Sequence, residues 1–253
     1  LAGLVDDNWE SVERKSRSPA FDLEESLTAM LTGVGATEPD VTAVLRDLEY
    51  PQDPKQWTGA DRERLARAIR SRTKPMVVVA NKADAAPEAT LDRLRAGTDK
   101  PVVPATADGE LALRRAVEAG VVEYDPGDDD FDVVGDVSDA QRAGLDAIRE
   151  VMAQLGGTGV QTALNTAVYD RLDRITVYPV QDASQWTDGS GTMLPDAFLV
   201  PTGSTPRDLA YAVHTDIGDG YLHAVDARSS RRIGEDHELS EGDVVKIVST
   251  AGP

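Results

Sequence analysis

The chain has 253 residues and a formal net charge of −19, with 45 acidic against 26 basic residues and no cysteine. No apolar run approaches the roughly 18 residues of a membrane span, and disulfides, thiol catalysis and cysteine-ligated zinc are excluded. The acidic residues are spread along the whole chain. The negative charge argues against general electrostatic binding of nucleic acid. It is typical of adaptation to concentrated salt, where ions screen self-repulsion. We therefore expect a halophilic, cytoplasmic protein that makes no membrane contact.

Residues 1–73 have apolar residues at helical spacing and acidic residues near the helix starts. The clearest start is Thr58, a good N-cap residue that is followed three positions later by Asp61. Glycines at 33 and 35 end the second predicted helix, and Pro51 ends the third. This pattern predicts a small helical subdomain.

Residues 74–173 change to an alternation of strands and helices. The apolar, β-branched run PMVVVA and the run KPVVPATAD each precede a predicted helix, which is the α/β pattern. Two strands cannot form a covered parallel sheet, so further strands must come from elsewhere. Residues 127–132 predict an acidic loop, residues 138–155 an amphipathic helix, and Thr158 the start of another helix.

Residues 174–253 are β-rich. Four short strands are predicted at ITVYPV, DAFLVP, GYLHAVDA and DVVKIVS, with one helix at TPRDLAYAVHTDI between the second and the third. One helix packed on a mixed sheet suggests a ubiquitin-like β-grasp module. Ile217 and Gly218 are predicted to end its helix, and His214 is interpreted as a cap or core-edge residue rather than a ligand.

Polar residues follow the first buried strand at Asn81-Lys82-Ala83-Asp84. One interpretation is an ordinary turn; the other is a loop that reads guanine. A carboxylate at Asp84 can accept both N1–H and the N2 amine of guanine, Asn81 can tie neighbouring loops together, and Lys82 can lay its stem over the base. The next strand ends at Thr106 and Ala107, where a backbone N–H can meet the guanine O6.

These residues resemble the fourth and fifth guanine-recognition motifs of translation-factor-type GTPases. Residues 156–180 and 200–249 resemble the Obg-related, YchF-like GTPases, whose chain ends in a TGS domain. The resemblance implies an α/β fold: the C-terminal half of a P-loop GTPase domain over residues 74–173, a helical insertion over 1–73 and a β-grasp TGS domain over 174–253. It also implies GTP or GDP as ligand, because Asp84 stands where ATP-preferring branches have glutamate.

The phosphate-binding motif G-x-x-x-x-G-K-[ST] occurs nowhere in the chain. The magnesium-binding loops that precede the fourth motif in such GTPases are missing too. Because the chain also begins at Leu1, we expect a fragment without the N-terminal half of the GTPase domain. We expect it to contain no catalytic residue and no metal ligand and to be unable to hydrolyse GTP, with Mg²⁺ bound only in the parent protein.

The leading functional hypothesis is a nucleotide switch whose TGS domain binds RNA or ribosome-associated partners. The local basic cluster Arg228, Arg231 and Arg232 is the candidate RNA contact, although residues 175–253 hold twelve acidic and five basic residues. The alternative is a non-catalytic adaptor that acts through the TGS domain. A third class, an unrelated α/β enzyme, lacks a catalytic acid–base pair or cofactor loop in this sequence.

Overall fold

The computed structural model describes residues 1–251 (for Glu88 the backbone alone). Its contacts divide the chain into two compact units, Leu1–Met76 and the chain from Val77 onward. Among the described residues, no helix is both long enough and apolar enough to cross a bilayer. The three-way division at residues 73 and 173 stays a prediction.

The first unit is helical, as the sequence predicts. It contains α1 (Ala2–Lys15), α2 (Leu23–Leu31), α3 (Glu38–Asp47) and α4 (Gly59–Thr73). The four helices bury one shared core, whose side chains are at most 6% exposed and come from every helix and from the connections before α3 and α4: Val5, Trp9, Val12, Leu27, Leu31, Ala36, Val41, Val44, Leu45, Trp57, Leu65, Ala66 and Ile69. The helical spacing of apolar residues therefore predicted the helices of this unit.

Aspartate-containing capping boxes start two of these helices. Before α4, the Thr58 hydroxyl accepts a hydrogen bond from the Asp61 N–H, and the Asp61 carboxylate accepts one from the Thr58 N–H at 2.8 Å. Thr37 and Asp40 form the same box before α3. Each box satisfies backbone donors that the first helical turn leaves without intrahelical partners.

Helix α3 ends earlier than predicted. Pro51 was expected to end it, but the chain is already extended at Leu48. Tyr50 leaves the helical path and packs against Trp57, with ring centroids 5.2 Å apart, and Trp57 in turn stacks on Trp9 at 4.8 Å. The earlier end of the helix coincides with this aromatic packing. The position of Pro51 in the sequence could not predict that packing.

The second unit begins with β1 (Val78–Asn81) and β2 (Val102–Ala105), which pair in parallel. Helix α5 (Glu88–Ala96) connects these strands, and α6 (Ala107–Glu118) follows β2. The α/β prediction for this segment is confirmed.

A short antiparallel hairpin follows α6. Its strands are β3 (Val122–Glu123) and β4 (Asp132–Val133). The sequence predicted only an acidic loop there, because two-residue strands are too short to show alternation. Phe131 and Tyr124 are buried at the hairpin, and neither was predicted to be buried.

Two helices lead from the hairpin to the last module. They are α7 (Asp139–Leu155) and α8 (Val160–Asn165), and α8 continues as a π-helical stretch over Thr166–Arg171. Helix α8 begins two residues after the predicted start at Thr158, because Gly159 has a left-handed backbone at φ 79° and cannot belong to the helix.

The last module is a five-stranded mixed sheet. Its strands are β5 (Arg174–Val180), β6 (Phe198–Pro201), β7 (Tyr221–Asp226), β8 (Arg231–Ile233) and β9 (Asp243–Ser249). They lie in the order β6-β5-β9-β7-β8, with β5 and β9 parallel and the other pairs antiparallel. This is the predicted β-grasp arrangement with one additional edge strand, β8, which was not among the four strands predicted from the sequence.

The helix of this module is broken in two. Helix α9 (Pro206–Val213) ends at His214, and a short α10 (Thr215–Asp219) follows. His214 has an extended backbone, and its Nδ1 accepts a hydrogen bond from the Asp216 N–H at 3.1 Å. The predicted single helix ending at Ile217 is therefore wrong, whereas the interpretation of His214 as a cap is confirmed.

Candidate functional site

The ends of β1 and β2 lie level with each other. Their register pairs Asn81 with Ala105, so the loops that follow both strands leave the sheet at the same edge. Lys82 turns the first loop with a left-handed backbone at φ 62°. The 3-10 turn Ala83–Ala85, which carries Asp84, then lies against β2. The carboxyl edge of parallel strands is where α/β sheets usually bind ligands.

Asn81 joins the two loops. Its Oδ1 accepts hydrogen bonds from the Lys82 N–H at 2.8 Å and from the Ala107 N–H at 3.1 Å. The structure thus brings Asn81 and Ala107 together, two residues that the sequence analysis singled out separately. The same bond occupies the Ala107 N–H, and the next backbone donor, the Asp108 N–H, has no acceptor among residues 1–251.

Two charged side chains of the first loop have no partner among the described side chains. Neither the Asp84 carboxylate nor the Lys82 ammonium group makes a hydrogen bond or an ion pair with any of them. Both residues are exposed. They are therefore available to a ligand at this edge of the sheet.

Thr106 has a structural position rather than an open one. It is 4% exposed, its hydroxyl accepts a hydrogen bond from the Gly109 N–H at the start of α6, and its own N–H donates to the Thr158 carbonyl at 2.9 Å. Thr106 holds the second loop in place from beneath, while Ala107 is on the exposed side.

The turn between α7 and α8 is a third component of this edge. Gly159 packs flat on the end of β2: a Cβ there would lie 2.0 Å from the Pro104 carbonyl oxygen. Gly156 and Gly157 before it also have positive φ angles. In the sequence, this segment served to predict a helix start at Thr158 and to support the family resemblance. The closely spaced glycines around Thr158 were the signal that a backbone had to approach another strand.

A buried carboxylate fixes this turn to α6. Glu110 is 5% exposed. Its Oε2 accepts hydrogen bonds from the Thr158 hydroxyl at 2.6 Å and the Tyr124 hydroxyl at 2.8 Å, and its Oε1 accepts one from Arg114 Nε at 2.6 Å. This cluster was not predicted from the sequence. The i, i+4 spacing of Glu110 and Arg114 is its one feature that is visible in a local stretch of sequence.

The surroundings of Glu110 keep it ionised. Burial alone raises its pKa, but the hydrogen bonds from Thr158, Tyr124 and Arg114 outweigh it and hold the pKa below the ordinary value. Burial and the neighbouring Glu110 carboxylate together raise the pKa of Tyr124, so its hydroxyl remains a donor. The cluster therefore acts as a fixed internal brace behind the Thr106 loop.

Comparison with known proteins decides the family. Residues 79–182 match the Obg-like GTPase YGR210-like, G4 motif-containing domain, and residues 190–249 match the TGS domain. The GTP-binding protein MJ1332 of Methanocaldococcus jannaschii is 39% identical over 255 residues, which cover 99% of this chain and 64% of that protein. A crystal structure of a GTP-binding protein from Pyrococcus horikoshii OT3, also 39% identical, superposes with a TM-score of 0.78 over 99% of this chain and 67% of that one.

The chain belongs to the Obg-like, YchF-type GTP-binding proteins. It spans about two thirds of the length of the curated archaeal relative it matches, 64%. The G4 match contains both loops at the sheet edge, the Glu110 brace and the Thr158 turn. A guanosine-3′,5′-bis(diphosphate) 3′-pyrophosphohydrolase of Aquifex aeolicus is also 46% identical over 55 residues, which cover 21% of this chain.

The three clustered arginines of the TGS domain, Arg228, Arg231 and Arg232, differ in their surroundings. The Arg228 guanidinium lies 5.0 Å from the centre of the Trp186 ring, and its Nη2 donates to the Gly242 carbonyl at 2.9 Å. Arg231 and Arg232 lie on the edge strand β8, are exposed, and form no ion pair among the described residues. Arg228 therefore stabilises the domain, and only the other two are free for an outside partner.

No group of three or more histidine, aspartate or glutamate residues within the described part of this YchF-type chain is arranged to hold a metal ion.

Proposed function

We propose that this chain carries the base-reading half of a guanine-nucleotide switch. The observation that supports it best is the hydrogen bond from the Ala107 N–H to Asn81 Oδ1, 3.1 Å long. It links two loops at the carboxyl edge of adjacent parallel strands, beside the unpaired side chains of Lys82 and Asp84. This edge has the polar groups that a flat, hydrogen-bonding ligand requires.

In this proposal each group has a chemical role. The Asp84 carboxylate accepts N1–H and the N2 amine of guanine, Lys82 covers the base with its aliphatic stem, and Asn81 keeps the two loops together. The Asp108 N–H replaces that of Ala107 as the donor to O6, because Asn81 already occupies the latter. Adenine presents an acceptor to Asp84 where guanine has a donor, and losing two charge-assisted bonds of about 1.5–3 kcal/mol each gives strong discrimination.

The test is base selectivity in a version of the protein extended to the length of its relatives. With GDP, ADP and xanthosine diphosphate as ligands, we expect GDP to bind at least about 100-fold more tightly than ADP. Asp84→Asn should weaken GDP binding about 100-fold and strengthen the binding of xanthosine diphosphate, because the new amide can donate to the C2 carbonyl of xanthine. Calorimetry measures all three affinities.

The matched control is Asp170→Asn, which removes the same charge from an exposed aspartate without hydrogen bonds among the described residues. It should leave all three affinities unchanged. Guanine preference that survives Asp84→Asn would remove Asp84 from the proposed site. Equal binding of GDP and ADP by the unaltered protein would instead favour the adaptor hypothesis.

The remaining parts of the proposal concern the whole protein. We propose that phosphate and Mg²⁺ binding, and GTP hydrolysis, belong to the part of the longer relatives that this chain does not span. The charge of −19 supports a working environment of concentrated salt in the cytoplasm.

We also propose that the TGS domain binds RNA of the ribosome through the exposed pair Arg231 and Arg232. Two cations on an edge strand can each contact a phosphate, a contact that carries no sequence information and weakens with salt. The excess of acidic over basic residues in this domain confines such a contact to this strand.

Reversing both charges, with Arg231→Glu and Arg232→Glu combined, should weaken binding to purified ribosomes about tenfold or more at 0.1 M salt. Arg228 is left intact in this variant, since its loss would disturb the contact with Trp186. The control combines Arg17→Glu with Arg142→Glu, which changes the net charge equally at two other exposed residues. Unchanged sedimentation with ribosomes in the β8 variant would redirect the search to a protein partner.

A further inference from the structure

The TGS sheet has a gap beside the end of β9, on the side where β5 stops. Strand β5 lies between β6 and β9, and its last residue, Val180, pairs with Lys246. Strand β9 continues for three more residues to Ser249, and nothing within residues 1–251 pairs with them on the β5 side. The chain instead turns away after Val180 into a loop closed by the bond from the Gln181 N–H to the Thr187 carbonyl.

The backbone of β9 shows which groups face this gap. The Val244 carbonyl accepts from Ala227, and the Thr250 N–H donates to Gly220, so the even-numbered residues of β9 bond toward β7. The backbone groups of alternate residues in a strand point to opposite neighbours. The carbonyl of Ile247 and both the N–H and the carbonyl of Ser249 therefore face the gap.

A cavity of about 680 Å³ lies in this position. Four consecutive residues, 246–249, line it. Consecutive residues of a strand alternate between the two faces of a sheet, so only an exposed edge brings all four to one cavity. Val213 and Ile217 from the helices and Phe198 from the start of β6 complete its apolar walls.

The backbone groups at the gap select its occupant. Phe198, the first residue of β6, pairs with Val177, which in turn pairs with Asp243, so β6 runs away from the gap and the β5 side of Ile247–Ser249 stays open. Unpaired backbone donors and acceptors in a row are complementary to another extended backbone. The exposed stretch matches three to four residues at about 3.3 Å each.

The charge at the cavity adds a preference for an acidic side chain. Lys246 is half-buried at the wall and forms no ion pair among the described residues. Asp188, also at the wall, already accepts hydrogen bonds from Ser190 and Thr192 of its own loop. Asp196 is exposed at the rim, where its charge would repel a second carboxylate. An acidic side chain of the bound segment is therefore favoured only where it meets Lys246.

We propose that this gap is a docking site for an extended peptide segment of a partner protein. The segment continues the line of β5 and pairs with the free edge of Ile247 and Ser249. Its apolar side chains alternate with one acidic side chain, which meets Lys246. This site is independent of guanine binding, because it needs only the TGS sheet.

The experiment titrates the ¹⁵N-labelled chain with the capped tetrapeptide acetyl-Val-Glu-Val-Thr-amide. We expect a Kd below about 1 mM and shifts concentrated at the amides of residues 246–251. Ser249→Pro removes an N–H that faces the gap, which a strand edge tolerates, together with the side-chain hydroxyl, and should weaken binding at least tenfold. Ser249→Ala is its matched control, since it removes the hydroxyl and keeps the N–H.

A change on the peptide avoids any question of folding. N-methylation of the second valine amide should weaken peptide binding by a similar factor. Replacing the glutamate of the peptide by glutamine should weaken binding to the unaltered chain but not to Lys246→Gln. No shift at 5 mM peptide, or equal binding of the N-methylated peptide, would overturn the proposal. It would also be overturned if a short RNA shifted the same amides while the peptide did not.

Discussion

Replacing Gly159 by alanine is expected to destabilise the second unit by roughly 3–5 kcal/mol. Two effects combine: an L-residue at φ 79° is strained, and the new Cβ would lie 2.0 Å from the Pro104 carbonyl oxygen, so that the backbone of the turn or of β2 must move. Since the obstacle is backbone, no rotamer change can relieve it. Urea unfolding followed by hydrogen exchange at the amides of β2 measures the loss.

Gly144→Ala is the matched control. This glycine lies within α7 and is exposed, and a Cβ at this position would have no atom within 4 Å among the described residues. Alanine there should stabilise the helix by about 0.5–1 kcal/mol. A Gly159→Ala protein as stable as the unaltered chain would show that the turn does not need its close approach to β2, and the proposed role of this turn in shaping the sheet edge would be lost.

Glu110→Ala is expected to cost about 2–4 kcal/mol. It leaves the buried hydroxyls of Thr158 and Tyr124 without their shared acceptor, and each unsatisfied buried group costs about 1–3 kcal/mol. Arg114 is half exposed and can turn to water, so it adds little. Glu110→Gln retains an acceptor for both hydroxyls and should cost less than half as much. Thermal unfolding of the three proteins makes the comparison.

The pH dependence separates the charge of Glu110 from its shape. Because the folded-state pKa lies below the ordinary value of 4.5, the ionised carboxylate stabilises the fold above that pH, and this contribution is lost as the pH falls through the folded-state pKa. The difference in stability between the unaltered chain and Glu110→Gln should therefore shrink in acid. A difference that stays constant from pH 7 to pH 3 would contradict the hydrogen-bonded, ionised brace.

The elements with strong local signals were predictable from the sequence. The helical spacing of apolar residues predicted α1 to α4, and Thr58 with Asp61 fixed the start of α4. The apolar run before Asn81 and the one before Thr106 gave two parallel strands with their loops at one edge. These predictions rest on spacing and capping, which depend on residues near in sequence.

What the sequence could not give depends on residues far apart. Glu110 and Thr158 are separated by 48 positions, and only folding brings the turn to α6. The occupation of the Ala107 N–H by Asn81 is equally invisible to local patterns. In the TGS domain, nothing in the sequence distinguishes the three clustered arginines from one another. The Trp186 ring beside the Arg228 guanidinium gives Arg228 a role that the other two do not have.

The capping boxes of the helical unit have a consequence for its behaviour in acid. Hydrogen bonds from the hydroxyl and N–H of Thr58 lower the pKa of Asp61 to about 2. Burial opposes the same effect at Asp40, but its bonds to Thr37 and Arg72 still lower its pKa. As ordinary surface carboxylates take up protons, these two remain charged and continue to hold the first turns of α3 and α4. Mild acid would thus remove the repulsion among the other aspartates and glutamates before these helix ends begin to fray.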